Sequence, residues 1–182
     1  MAEVVGTEQG GPAQRKPILM KSLVVYYSSS GNTAQAAYKF LNALTREGET
    51  DIFELNYSGQ ARGLFAQLLD RLMPFRISLG DAPLDLKGYD VLCLGIPVWA
   101  GRPAPLVTRY LEGSKITGKI KVVCFLVYGV EASARRCLAY VRSVFRRKGH
   151  PEIIGVTIPW AKASDTEFME NLIQEAIAKL KA

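Results

Sequence analysis

The sequence predicts an α/β protein: a doubly wound, five-stranded parallel sheet of order 2-1-3-4-5, covered on both faces as a three-layer α/β/α sandwich. Three observations predict it. Five short apolar segments rich in β-branched and aromatic residues alternate along the chain with five amphipathic helical patterns. Those segments are near-continuous apolar runs, as expected of strands buried on both faces. The chain is 182 residues long and 48% hydrophobic, enough for one domain with a substantial core. That domain is expected at residues 21–182, behind a flexible N-terminal tail, 1–20, where Gly10, Gly11 and Pro12 interrupt a stretch without period.

Each element follows from local signals. The first strand is expected at Ser22–Tyr27, then a helix from about Asn32 to Glu47 with Ala36, Ala37, Phe40, Leu41 and Leu44 on one face. Gly48 ends it. A strand at Thr50–Leu55 follows, then a helix at about Arg62–Met73, with Leu64, Phe65, Leu68, Leu69 and Leu72 on one stripe and Pro74 as its stop. A looser segment, 74–88, leads into a strand at Tyr89–Gly95 and a loop at Ile96–Arg102. Prolines open the next helix, about Pro103–Glu112, where a missing N–H costs nothing. A strand at Lys121–Tyr128 precedes a helix at about Ala132–Lys148 that buries Cys137, Leu138, Val141, Val144 and Phe145. The last strand is Glu152–Ile158, and the last helix runs to Lys181 from a capping box of Ser164 and Glu167.

Composition excludes several function classes. The longest apolar run, Val122–Val127, is strand-sized, far below the roughly 20 residues of a membrane span. No secretory signal is visible at the start. Cys93, Cys124 and Cys137 show no paired spacing and read as buried free thiols, which suits a reducing cytoplasm. A single histidine, His150, leaves neither a Ser/His pair nor a zinc cluster. The net charge of +6 is uneven, because residues 101–150 carry 11 Lys/Arg against Glu112 and Glu131. Nucleic acid is disfavoured, since no basic stripe with interleaved aromatics appears.

The stretch Leu23–Ala36, LVVYYSSSGNTAQA, carries the chemistry. A buried strand ends in a small hydroxyl-rich loop and turns straight into a helix, whose first N–H groups and dipole favour an anion. Ser28, Ser30 and Thr33 add hydroxyl donors, and Gly31 lets the backbone approach closely. A phosphate monoester is the natural guest. The loop is neither a Walker A motif, lacking its Lys, nor a dinucleotide fingerprint, lacking two of three glycines. The strand order places this loop beside the one after the third strand, IPVWAGR, where Trp99 and Gly101 between Pro97 and Pro103 suit contact with a flat ring. Tyr128 and Gly129 after the fourth strand add a third loop at the same edge. One phosphate loop and two ring-sized loops describe a mononucleotide site. Receiver domains share the strand order but need clustered carboxylates after the first strand, where this chain has Tyr27, Ser28 and Ser29.

From Leu23 to Lys181 the chain resembles the flavodoxin-like FMN-binding family. SSSGNT is similar to the family's phosphate loop, GIPVWAGRPAP to its isoalloxazine-contacting loop, and KGYDVLCLGIPVW to its usual way into that loop. The resemblance implies FMN, with its phosphate held by Ser28, Ser30, Asn32 and Thr33 and by the backbone of Ser29 and Gly31. It implies Pro97, Val98, Trp99, Ala100 and Gly101 along the flavin, with Tyr128 and Gly129 closing the third side. It also implies the family's placement of FMN between the first and third strands. Two features depart from classical flavodoxins: the basic charge, and a third loop, YGVEAS, closer to that of flavodoxin-like reductases.

Three functions follow as expectations. The first is an FMN electron-transfer protein, whose redox partner, an acidic protein, docks on basic residues within 102–148. The alternative is an FMN-dependent reductase of a quinone or similar acceptor using NAD(P)H. The third is a flavin-free interaction module, against which the intact SSSGNT argues. No residue reads as a clear proton donor or nicotinamide contact; Tyr128 and Arg102 are the candidates.

Overall fold

A computed structural model describes residues 20–56, 79–116, 118–150 and 152–182. The expected tail at 1–20 except Met20, the helix at Arg62–Met73 and the first part of the 74–88 segment, 74–78, lie outside the described residues. The elements are β1 (Ser22–Tyr26), α1 (Asn32–Thr45), β2 (Thr50–Glu54), β3 (Val91–Trp99), β4 (Arg102–Pro103), α2 (Pro105–Gly113), β5 (Lys121–Tyr128), α3 (Glu131–Arg147), β6 (Ile154–Pro159) and α4 (Thr166–Lys181). The five long strands are parallel and lie in the order β2-β1-β3-β5-β6, the doubly wound arrangement the sequence predicts; two-residue β4 pairs only with β3 and antiparallel.

Strand alternation divides the core into two. Leu23, Val25 and Tyr27 of the β1 run join Leu92, Leu94 and Ile96, with Val122, Cys124 and Leu126, under α2 and α3. Val24 and Tyr26 join Cys93, Val123, Phe125, Val127 and Ile158 under α1 and α4. The apolar stripes read from the sequence are the faces that pack: Ala36, Ala37, Phe40 and Leu44 of α1 are buried, as are Cys137, Val141, Val144 and Phe145 of α3. Gly95 admits the ring of Phe125 across its strand, since a Cβ there would lie 2.5 Å from Phe125 Cζ. The same ring stacks on Phe40 at 4.7 Å and so ties β5 to α1.

Most expected ends shift by a residue or two, and three differences carry a physical reason. β3 does not end at Gly95 but continues through Ile96, Pro97 and Val98 to Trp99. β5 supplies a ladder as far as the Pro97–Val127 pair, while β1 has already stopped at the Tyr26–Gly95 pair. Pro97 therefore has a strand on one side only, a position where its missing N–H is tolerated. Pro103 lies in β4, so α2 opens at Pro105 instead. At α4 the cap is Asp165, whose carboxylate accepts the Phe168 N–H at 3.1 Å; Ser164 stands one residue outside.

Candidate functional site

The carboxyl ends of β1 and β3 flank the point where the strand order reverses, which in open α/β sheets is the ligand crevice. Gly31 makes the turn from β1 into α1 with φ +86°. A Cβ there would touch nothing within 4 Å, so glycine is required by the backbone and not by crowding. α1 has no side-chain cap and no acid in its first turn. The N–H groups of Asn32, Thr33 and Ala34 therefore remain available to a ligand ahead of the helix. Ser28 Oγ accepts the Gly31 N–H at 3.1 Å, and Ser30 Oγ accepts from Asn32 Nδ2 at 3.4 Å. Each serine acts there as an acceptor and keeps its own proton to donate. Ser29 and Ser30 are exposed and Ser28 and Asn32 half-buried, whereas Thr33 packs within the buried face of α1.

The second loop is tighter than the sequence suggests. Trp99 and Arg102 pair across Ala100 and Gly101, whose φ values of +47° and +82° make a two-residue hairpin of the type I′ kind. Pro97 and Gly101 are buried, Val98 and Trp99 half-buried and Ala100 exposed. Trp99 meets Tyr27 edge-on at 6.1 Å and 72°, which joins this loop to the first. The Pro97–Val127 register brings the third loop alongside, with Tyr128 half-buried and Gly129 exposed. The fold thus gathers the three loops at one sheet edge.

The basic residues do not fall where their sequence positions suggest. Arg102 directly follows the second loop, yet its guanidinium lies over the Tyr140 ring of α3, 4.5 Å from the centroid. Arg136 instead lies against the hairpin, its Nε 3.1 Å from where a Cβ on Gly101 would stand. Burial pushes the nearby Cys137 thiol up to about 12, with Arg102 opposing it. Burial raises the Cys93 and Cys124 thiols as well, so none of the three is a thiolate at neutral pH. Trp160, the residue after β6, has no signal in its own stretch of sequence; its indole lies beside Gly129 and it is 57% exposed. Topology is the signal for it, because β6 ends at the same edge as the three loops.

Two cavities lie elsewhere and hold none of these loop residues. One of about 780 Å³ opens by the amino end of β5, among Lys119, Lys121, Arg142, His150 and Lys179. The other, about 290 Å³, lies between α1 and α4 near Lys39, Arg46 and Glu170. Among the described residues no group of three or more His, Cys, Asp or Glu side chains is placed to hold a metal, and no helix is long and apolar enough to cross a membrane.

No protein-family model matches the chain, and no curated protein matches it in sequence. Solved structures do match. A candidate flavoprotein from Bacteroides uniformis superposes with a TM-score of 0.66 at 18% identity, over 85% of this chain and 98% of the other. A flavoprotein from Lactobacillus acidophilus, solved in complex with FMN, gives 0.54 at 21%, over 81% and 99%. An FMN-dependent NADH-azoreductase from Bacillus anthracis, also in complex with FMN, gives 0.56 at 10%, over 89% and 98%. Flavodoxins from an archaeon and from Streptococcus pneumoniae give 0.54 each at 16% identity. The chain has the flavodoxin-like fold.

Proposed function

We propose that this chain binds FMN at the carboxyl edge of its sheet and works as a flavodoxin-like electron-transfer protein. The observation that carries the reading is the start of α1: an uncapped, acid-free helix N-terminus behind a serine loop, at the strand-order reversal and next to the Trp99 hairpin. Its donors are backbone N–H groups and hydroxyls, with no acid in the helix's first turn, which fits a phosphate dianion. The FMN carried by the solved Lactobacillus and Bacillus structures supports the choice of mononucleotide.

FMN, when bound, supplies the redox chemistry at its ring. The rest falls to the chain. Ser28, Ser30, Asn32 and Thr33 would hold the phosphate, with the backbone of Ser29 and Gly31. Pro97, Val98, Trp99, Ala100 and Gly101 would line the ring, and Tyr128 with Gly129 would close its third side. Trp99 is already oriented by its contact with Tyr27, so little side-chain freedom is lost when a ring arrives. The test is an absorbance spectrum after FMN is added and the excess removed. Retained, spectrally shifted flavin is expected; a colourless protein at micromolar FMN overturns the reading.

A second reading, an FMN-dependent NAD(P)H:quinone reductase, is favoured by the basic half and by Arg136 against the hairpin. For a carrier, the exposed arginines of α3 would steer an acidic redox partner onto residues 102–148. Lys148 drops out of that surface, because its ammonium donates to the carbonyls of Glu112 at 3.0 Å and Ser114 at 2.6 Å at the end of α2. The buried thiols fit a reducing compartment such as the cytoplasm.

A further inference from the structure

We propose that Trp160 is the platform on which a planar, carbonyl-bearing acceptor, a quinone, stacks to collect electrons; this rests on the FMN reading above. Three large hydrophobic side chains are conspicuously exposed among the described residues, and two of them, Val130 at 64% and Trp160 at 57%, lie beside Gly129 of the third loop. The Tyr128–Pro159 pair fixes them there by register. The indole lies beside Gly129, with Cδ1 and Nε1 3.5 and 3.6 Å from where a Gly129 Cβ would stand, ordinary van der Waals contact.

Position separates this platform from the phosphate loop. Neighbouring strands are about 4.8 Å apart, so β6 stands three spacings, roughly 14 Å, from the strand that feeds the phosphate loop. A mononucleotide held at Ser28–Thr33, with Pro97–Gly101 along its ring, would leave Trp160 on the far side. A flat indole face with an N–H donor at its edge matches a flat ring with a carbonyl oxygen at its edge. Two side chains cover the area of a ring and fall far short of the ~800 Å² per partner of a protein interface. In the transfer, two electrons and two protons pass from reduced flavin to the quinone, leaving oxidised flavin and a hydroquinone.

The chain has two tryptophans, so Trp99→Phe leaves Trp160 as the single indole. In that variant without flavin, menadione is expected to quench fluorescence saturably, against the linear quenching of free N-acetyltryptophanamide. The flavin-loaded protein, reduced with dithionite, is then mixed in stopped flow with menadione, ferricyanide or cytochrome c. Trp160→Ala is expected to lower the menadione rate relative to the ferricyanide rate roughly three- to tenfold, and Trp160→Phe to recover most of it. An unchanged ratio with linear quenching overturns the platform while retained flavin leaves the FMN reading standing. A slowing confined to cytochrome c also overturns it, in favour of a protein contact. Colourless protein removes the electron source, and both readings fall together.

Discussion

Gly31 shows how much of the candidate site is local chemistry. Its φ of +86° is a backbone requirement, and no neighbour crowds the position. Gly31→Ala is therefore expected to cost about 1 kcal/mol through left-handed strain alone. It should also weaken FMN retention, because relaxing the turn moves the N–H groups at the start of α1. Urea unfolding and FMN titration of the same variant check both. SSSGNT is legible in the sequence because a serine–glycine turn into a helix is assembled from adjacent residues. Arg136 is not legible in this way. It sits 35 positions after Gly101 and reaches it only because α3 packs beside the hairpin, while Arg102, the neighbour in sequence, turns onto Tyr140.

Elements were legible where their signals lie within them. β5 matches its expected span residue for residue, being one apolar run between polar ends. β3 was not, because Pro97, Gly101 and Pro103 argue for a loop and only the partner strand β5 overrides them. At α4 the cap moved one residue to Asp165, which accepts the Phe168 N–H and is paired with Lys162 at 2.7 Å. Lys162 and that N–H hold the Asp165 carboxyl below its usual range. A depressed carboxylate pKa contributes stability above the unfolded value and loses it as pH falls through the folded one. Asp165→Ala is expected to lower Tm by a few degrees at neutral pH, with Asp165→Asn keeping most of the cap. Both variants should converge with the parent as the pH drops below the carboxylate range, read by thermal melts across pH 2–7.

At the scale of the molecule, the core layer under α1 and α4 is tied together by rings that cross between elements. Phe125 is fully buried, stacks on Phe40 of α1 and occupies the space that Gly95 leaves open. Phe125→Ala should cost about 3–5 kcal/mol, seen as a lower denaturant midpoint with an unchanged slope. Gly95 reads in the sequence as a strand glycine of no evident purpose, and the ring that requires it is 30 residues away. By itself the sequence determined the alternation of strand and helix, the two-faced burial, the parallel sheet and the serine–glycine turn into α1. All of these depend on periodicity and on residues adjacent in the chain. Only the tertiary structure decided where β3 ends, which arginine meets the hairpin and that Trp160 shares an edge with Gly129. Those depend on strand order and helix packing, which bring together residues that no local pattern connects.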